Sequence, residues 1–415
     1  MNRIFLLDSL RALALLGIVI VHSHDHFNFY VYPPDTGGWI LHANFIATWI
    51  YENLFVSKSF LLFSFLFGVS FFIQLDRSEK RGVDFRARFI WRLMLLFLLG
   101  LVHTLFYDGD ILTIFGILGV ILVPLYKLPK WFLLTLSGLL LVNIPSLIEF
   151  LTSLHTESYL HHPIFSYDWE ATGSTREQVD AGGSWLHVAL WNMTYGLSGK
   201  WKFFIESGRI WQTLGLFVLG VWAGRQRLFE QIEVNKRLLI QILLMGSLLS
   251  LICIGLQMYH SAPPQHLIDP SNALLTTWGS LAYFASFVAF ISLLSMWRPA
   301  SRLLFLLAPI GKVTLTCYIS QSIVFTFIYF GWGLGLASHW GAFISVISAI
   351  LLFMIQGVIC TIWLKYFKYG PLEWLWRSGT QCKWQPMRLK DQEPTTSRQI
   401  TDNKAIKPYP INTAK

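Results

Sequence analysis

The chain has 415 residues, of which 54% are hydrophobic, 16% aromatic and only 13% charged. Soluble domains carry roughly 25% charged residues, so this composition excludes a soluble enzyme and predicts a polytopic membrane protein with aromatic belts. The net charge is +9. We expect no nucleic-acid partner, because basic loops that face anionic membrane lipid account for this charge.

Hydrophobic runs of roughly 20 residues, the length that crosses a bilayer, recur along the chain. They predict an all-α transmembrane bundle of about ten helices within residues 1–380, with both termini cytoplasmic. An outer loop covers about 152–208, and the polar residues 381–415 are expected to form a disordered cytoplasmic tail. The predicted spans are about 9–27, 54–74, 90–107, 111–126, 131–151, 210–224, 238–259, 273–296, 312–331 and 342–364.

The distribution of basic residues sets the predicted orientation. All but five of the 32 Lys and Arg residues fall on the side assigned to the cytoplasm, as the positive-inside rule requires. All twelve histidines fall instead in predicted outer loops or in the outer halves of helices. This asymmetry points to chemistry near the outer face.

The first predicted helix carries Arg11 near its cytoplasmic edge and His22 near its outer third. Eleven residues at about 100° each bring the second side chain to within about 20° of the first, roughly 16 Å along the helix. Intramembrane ionisable groups usually face a bundle interior or a wet cavity. Arg11 is therefore either a topological anchor or a binding group, and His22 is either a buried hydrogen-bonded residue or a catalytic one.

The histidines at the end of this helix also raise the question of a metal. His22 and His26 are four residues apart and can share a helical face, with Asp25 as a supporting group. Histidines just outside a helix are more often plain interfacial residues, and we predict no metal site.

The second predicted helix begins within FVSKSFLLFSFLFG (55–68). Lys58 is the outer lysine closest to a helix start, which makes it a candidate for substrate binding rather than topology. Gly68 is small enough to let two helices approach closely.

The third helix and the turn after it contain GLVHTLFYDGDIL (100–112). His103 lies within the predicted span, where an unpaired polar group is costly. A carboxylate such as Asp110 would orient the imidazole and raise its basicity, as in a general base. The alternative for Asp110 is to cap the next helix. Arg88 and Arg92, which precede this stretch, are placed to hold phosphate oxygens.

Two further stretches near the C-terminal end are unusually polar for membrane segments. PIGKVTLTCYISQS (309–322) carries Lys312, Tyr318 and Gln321, and the glutamine needs either an interhelical partner or a substrate. YFKYGPLEWLWRSGT (366–380) carries Glu373 and Trp374 in an aromatic, basic segment. Docking on the membrane surface is the alternative to substrate binding for this second stretch.

From residue 3 to about 380 the chain resembles the YeiB-like family of bacterial membrane proteins, known as domain of unknown function 418. The resemblance rests on LDSLRALALLGI (7–18), FVSKSFLLFSFLFG (55–68), RLMLLFLLGLVHTLFYDGDIL (92–112), GKVTLTCYISQS (311–322) and YGPLEWLWR (369–377). The chain departs from the family pattern at four positions. Ala12 replaces a usual Gly, His22 a usual Asn, Lys312 a usual Arg and Cys317 a usual Asn.

The resemblance implies a multi-pass protein of the bacterial cytoplasmic membrane. The family's architecture is similar to that of membrane acyltransferases that modify sugars or glycans with an acyl donor from the cytoplasm. Arg-x10-His in the first helix is a signature of those enzymes, and Arg11 and His22 reproduce it here.

Together, the residues and the resemblance predict transfer of an acyl group from a cytoplasmic thioester to a hydroxyl of a glycan or lipid at the outer face. The co-substrate is an acyl-thioester such as acyl-CoA, and no tightly bound cofactor is expected. The predicted catalytic residues are His103, His22 and Asp110. The predicted substrate-binding residues are Arg11, Lys58, Arg88, Arg92, Lys312, Tyr318, Gln321, Glu373 and Trp374.

Two other classes of function stay open at this point. A transporter or permease for a small solute also suits polar residues at mid-helix, although the sequence shows neither an inverted repeat nor paired broken helices. A non-catalytic membrane scaffold or sensor is compatible with the same composition.

Overall fold

The computed structural model describes residues 5–26, 37–154, 176–259, 265–337 and 339–389. These residues form helices and short connections without a β-strand, which confirms the predicted all-α class. The α-helices are α1 (Phe5–Val21), α2 (Trp39–Leu54), α3 (Ser59–Glu79), α4 (Arg86–Thr104), α5 (Leu112–Leu125), α6 (Lys130–Leu141), α7 (Ile144–Ser153), α8 (Arg176–Gly182), α9 (Trp185–Trp191), α10 (Leu197–Glu206), α11 (Arg209–Arg225), α12 (Ile232–Tyr259), α13 (Gln265–Leu294), α14 (Arg298–Lys312), α15 (Thr314–Tyr329), α16 (Ala342–Tyr366) and α17 (Pro371–Gln381).

Among the described residues, six segments are helical, long and apolar enough to cross a membrane. The number rises to eight when each of two bent helix pairs counts as one span. The predicted count of ten is not confirmed. At 1.5 Å per residue the 14 residues of α5 extend about 21 Å and the 17 residues of α11 about 26 Å, whereas the hydrocarbon core is about 30 Å thick.

Two helix pairs are broken, so the expectation that the chain lacks broken helices was wrong. α6 and α7 meet at 46°, and α14 and α15 meet at 76°. Asn143 separates the first pair with a left-handed φ of 60°, which Asn tolerates better than most residues. Val313 separates the second pair. The predicted ninth span, 312–331, corresponds to α15, whereas α14 was not among the predicted spans.

Helix α1 lies at the centre of the bundle. Twelve of its 17 residues are buried, and it packs against α3, α14, α15 and α16. Its first half belongs to an apolar cluster with α3, α11 and α13, and its second half to a cluster with α5, α15 and α16. The polar side chains of α1 are consequently held among other helices rather than along an outer edge.

Helices α3 and α11 approach closely at two glycines. A Cβ at Gly68 would collide with the backbone carbonyl of Phe217, and one at Gly220 with the backbone carbonyl of Phe65. Small residues at such crossings let two helix backbones touch. The close packing predicted at Gly68 is confirmed, and Gly220 is its counterpart on the facing helix.

The predicted outer loop at 152–208 contains three short helices, α8, α9 and α10, while residues 155–175 lie outside the described residues. The first residues of the segment predicted as a polar tail pair with the end of α16 and the residues just after it. The Lys368 amide donates to the Met387 carbonyl at 2.9 Å, and the Leu389 amide donates to the Tyr366 carbonyl at 2.9 Å. Residues 390–415 of the predicted disordered tail lie outside the described residues.

Candidate functional site

Two cavities lie beside the two halves of α1. The Arg11 cavity, of about 260 Å³, adjoins the N-terminal half and is lined by Arg11 together with residues of α3, α4, α15 and α17. The His22 cavity, of about 530 Å³, adjoins the C-terminal end and is lined by His22 together with residues of α10 and the α4–α5 turn. Tyr318 of α15 lines both cavities and is itself 2% exposed. Tyr318 is therefore a buried residue in the wall that the two cavities share, called the common wall below.

The Arg11 cavity gathers three cations, from Arg11, Arg92 and Lys312. Arg11 donates to Asp8 Oδ1 at 2.6 Å and to Ser70 Oγ at 2.7 Å. The Arg92 guanidinium stacks on the Trp376 ring, with its Cζ atom 3.6 Å from the ring centroid. Such a group of cations around a partly apolar space suits a ligand that combines phosphates with a hydrocarbon part.

Glu373 also lines the Arg11 cavity, but both of its carboxylate oxygens are used by the first turn of α15. Its Oε1 accepts from the Leu315 and Thr316 amides at 2.6 and 3.1 Å, and its Oε2 accepts from Thr316 Oγ1 at 2.6 Å. Burial raises the pKa of Glu373, and the donors from Thr316 and Leu315 oppose that shift. Glu373 thus stabilises the start of α15 after the sharp break at Val313.

The substitution Glu373→Gln is expected to lower the free energy of unfolding by about 1–3 kcal/mol, because it removes the charge from these hydrogen bonds and turns one acceptor into a donor. Thermal unfolding of the purified protein in detergent measures the change. Glu233→Gln, at an exposed position of α12, is the matched control. Equal unfolding midpoints for the two variants would contradict the capping role.

The His103 and Asp110 side chains form a buried pair. His103 Nδ1 lies 2.8 Å from Asp110 Oδ1, and Asp110 Oδ2 accepts from the Thr113 amide at 2.9 Å. Both sequence interpretations of Asp110 therefore hold at once, since it orients the histidine and caps α5. Within the described part of the chain, His103 Nε2 is buried without a hydrogen-bond partner. With Nδ1 held by the carboxylate, Nε2 is the atom that can accept a proton.

Lys200 of α10 completes this buried network. Its Nζ atom donates to Thr113 Oγ1 at 2.8 Å and lies 3.9 Å from Asp110 Oδ2. Burial lowers the pKa of Lys200, while Asp110 and Asp108 oppose the shift. For Asp110, burial acts to raise the pKa, but His103, Lys200 and the Thr113 amide together hold it below its ordinary value. Asp110 is therefore kept ionised.

The two predicted catalytic histidines flank the same pair of tyrosines. The His22 ring centroid lies 4.8 Å from that of Tyr107 and 6.2 Å from that of Tyr318. The His103 ring centroid lies 5.9 Å from that of Tyr107 and 5.0 Å, edge to face, from that of Tyr318. His22 lines its cavity directly, whereas His103 is packed behind the two phenol rings.

Three cations of the His22 cavity were not singled out from the sequence, namely Arg176, Lys200 and Arg209. Arg176 donates to Asp108 Oδ1 at 2.9 Å. The sequence did hold a signal for all three cations. They are among the five basic residues that lie on the predicted outer side, against the positive-inside rule.

Four predicted substrate-binding residues lie outside both cavities. Lys58 Nζ donates to the Glu52 carbonyl at 2.9 Å, and Arg88 is exposed next to the Phe85 ring. The other two residues, Gln321 and Trp374, donate hydrogen bonds to other residues of the chain. Gln321 Nε2 donates to Gln356 Oε1 at 2.8 Å, and Trp374 Nε1 donates to the Gln385 carbonyl at 2.7 Å.

The histidines that follow α1 contact different parts of the structure. His24 stacks on Tyr51 with the ring centroids 4.1 Å apart, while His22 contacts Tyr107. A metal site at the end of α1 would also need Asp25 and His26. Their side chains lie outside the described residues.

Comparison with known proteins finds a partial family match and several near full-length relatives. Residues 223–383 match a family described as protein of unknown function (DUF418). Uncharacterized protein YxaH of Bacillus subtilis is 29% identical, and the aligned region covers 94% of this chain and 97% of the relative. Uncharacterized protein YeiB of Escherichia coli is 26% identical, over 92% of this chain and 97% of the relative. The chain is therefore similar to the YeiB-like proteins along nearly its whole length, as the sequence motifs predicted.

The match over residues 223–383 covers only part of the two cavities. It includes Lys312, Tyr318 and Glu373, which line the Arg11 cavity. Helix α1 and the His103–Asp110 pair precede the matched residues. The uncharacterized 39.9 kDa protein in the amylase 3' region of Bacillus acidopullulyticus is 26% identical, over 94% of this chain and 97% of the relative.

Proposed function

We propose that this YeiB-like protein is a membrane acyltransferase. It moves an acyl group from a cytoplasmic thioester such as acyl-CoA to a hydroxyl of a glycan or lipid at the outer face of the bacterial cytoplasmic membrane. The observation that supports it best is the arrangement around Tyr318. Two cavities meet on this ring, and the buried His103–Asp110 pair packs against it.

The Arg11 cavity binds the donor in this proposal. Arg11, Arg92 and Lys312 supply the positive charge that phosphates of the thioester carrier require. Phe67, Phe115 and neighbouring apolar side chains line the same space and accommodate the acyl chain. The positive-inside rule assigns this end of the bundle to the cytoplasm, where such a donor is available.

The His22 cavity binds the acceptor. His103 Nε2 takes the proton from the acceptor hydroxyl as its oxygen forms the ester bond with the thioester carbonyl carbon. The carbon–sulfur bond then breaks, and the proton passes from His103 to the leaving thiolate. Asp110 holds the imidazole in position and stabilises its protonated form. His22 contacts the acceptor, and a rotation of the Tyr318 or Tyr107 ring brings the hydroxyl to His103.

A direct assay tests the proposal. The purified protein, reconstituted in lipid nanodiscs, is incubated with radiolabelled acyl-CoA of several chain lengths and with lipid and glycan extracts of the bacterial envelope. We expect label to appear in an ester of an extract component and the thiol to be released in equal amount. Thiol release without a labelled ester, or no reaction with any chain length, would contradict acyl transfer.

Transport of a small solute is the second candidate, and two observations favour it. Cavities on either side of a single buried tyrosine resemble the two access routes of a transporter, and broken helices often form a transporter's binding site. Uptake by proteoliposomes without any thioester would support this function. Tyr318→Ala, which opens the common wall, should then raise passive leakage of the solute.

A further inference from the structure

The cations of the His22 cavity differ in how their charge is compensated. Arg176 lies 2.9 Å from Asp108 and 3.4 Å from Asp180. Lys200 lies 3.9 Å from Asp110. For Arg209, no Asp or Glu among the described residues lies within ion-pair distance. It is therefore the cavity cation whose charge the described protein leaves unbalanced.

The surroundings of Arg209 hold its guanidinium in place without neutralising it. Its Cζ atom lies 4.9 Å from the centre of the Phe60 ring and 4.8 Å from that of the Phe203 ring. Its Nη2 donates to Ser57 Oγ at 3.3 Å. One such bond occupies one of five N–H donors. Taking a cation out of water without a counter-charge is costly, so a group fixed in this way indicates an anionic ligand.

The shape and chemistry of the cavity agree with such a ligand. Its volume of about 530 Å³ exceeds what a free inorganic anion needs and accommodates a small polar head. A guanidinium presents a planar fork that matches the oxygens of a phosphate. His22 and Tyr107 on the same cavity offer partners for neutral hydroxyl groups.

We propose that Arg209 binds a phosphate group carried by the hydroxyl acceptor, so that the acceptor is a phosphate ester rather than a neutral glycan or lipid. The role of this ligand as acceptor rests on the proposed function, whereas its binding to Arg209 does not. The phosphate belongs either to the headgroup of a membrane lipid or to a soluble ester, since both present the same oxygens to the guanidinium.

Binding is measured by calorimetry on the purified protein without thioester, using four probes. Short-chain phosphatidylglycerol and glycerol 3-phosphate carry the phosphate, and short-chain diacylglycerol and glycerol are their neutral counterparts. Arg209→Gln should bind the preferred phosphate probe about 10- to 100-fold more weakly than the unaltered chain. Arg209→Lys, which keeps the charge but loses the planar fork, should lie between them. Lys202→Gln removes a cation of α10 that does not line the cavity and should change nothing.

Each outcome decides a different point. Binding of phosphatidylglycerol alone assigns the phosphate to a lipid headgroup, and binding of glycerol 3-phosphate assigns it to a soluble ester. Equal affinity for charged and neutral probes, or full affinity in both Arg209 variants, overturns the inference. Arg209-dependent binding in a protein that never transfers an acyl group would refute the acyltransferase and leave the phosphate site in place. If Arg209→Gln fails to fold, Arg209→Lys carries the test.

Discussion

The substitution His103→Ala is expected to lower the rate of acyl transfer by about 10²- to 10⁴-fold, the range over which a positioned general base contributes. His103 is 1% exposed, its Nδ1 is held by Asp110, and its Nε2 has no partner among the described residues. In the proposed reaction, this arrangement leaves Nε2 as the nitrogen that accepts the proton.

Measuring kcat and KM separately distinguishes a catalytic role of His103 from a structural one. Loss of the base should lower kcat and leave KM for the thioester nearly unchanged, because the Arg11 cavity remains intact. Asp110→Asn should lower kcat less than His103→Ala does, because His103 Nε2 is still present although its imidazole is held less firmly. His42→Ala, at an exposed position on α2, is the control. Unchanged kcat in folded His103→Ala protein would exclude His103 as the base.

The His103–Asp110 pair could be predicted from the sequence because it is local. The two residues are seven positions apart and are joined by the turn between α4 and α5, so chain connectivity alone keeps them close. The prediction that Arg11 and His22 share a helical face came in the same way from helix periodicity, although α1 ends at Val21 and His22 begins a π-helical turn. Both residues do line cavities along α1.

The rest of the site depends on contacts that no local pattern encodes. Lys200 reaches Thr113 across 87 positions of the chain, and Glu373 caps α15 from α17, 57 positions away from Thr316. Such pairs form when helices pack together. A single sequence shows which residues are charged but not which residues they contact. Tyr318 carried too weak a signal to reveal that it separates two cavities, because one aromatic in an apolar helix is common.

The sequence did hold a local signal for the break at Val313. Pro309 and Gly311 lie in the last turns of α14, and both residue types are typical of helix ends. The predicted ninth span, 312–331, corresponds to α15, and α14 was not predicted as a separate helix. The contact that satisfies the exposed amides of α15 comes from Glu373 on a distant helix, which no local pattern encodes.

The largest expected effect on stability comes from Gly68→Ala. The added methyl would meet the Phe217 carbonyl, and neither backbone can yield without separating α3 from α11. Overpacking in a tight core usually costs 1–3 kcal/mol, and a clash with backbone should cost about 3 kcal/mol or more. Gly138→Ala on α6 is the control, since its methyl would meet no atom within 4 Å. There the better helix propensity of Ala should raise the free energy of unfolding by up to about 1 kcal/mol.

Replacing Gly by Ala is therefore expected to lower the free energy of unfolding at Gly68 and to raise it at Gly138. Unfolding of the variants in detergent measures both changes.

A second comparison tests whether Gly68 and Gly220 form one contact. A Cβ at Gly220 would also come within 2.9 Å of the Gly68 Cα atom. Once the first methyl has forced the two helices apart, the second should meet less resistance. The double variant should consequently lose less stability than the sum of the single losses. Strict additivity would mean that the two glycines relieve separate contacts.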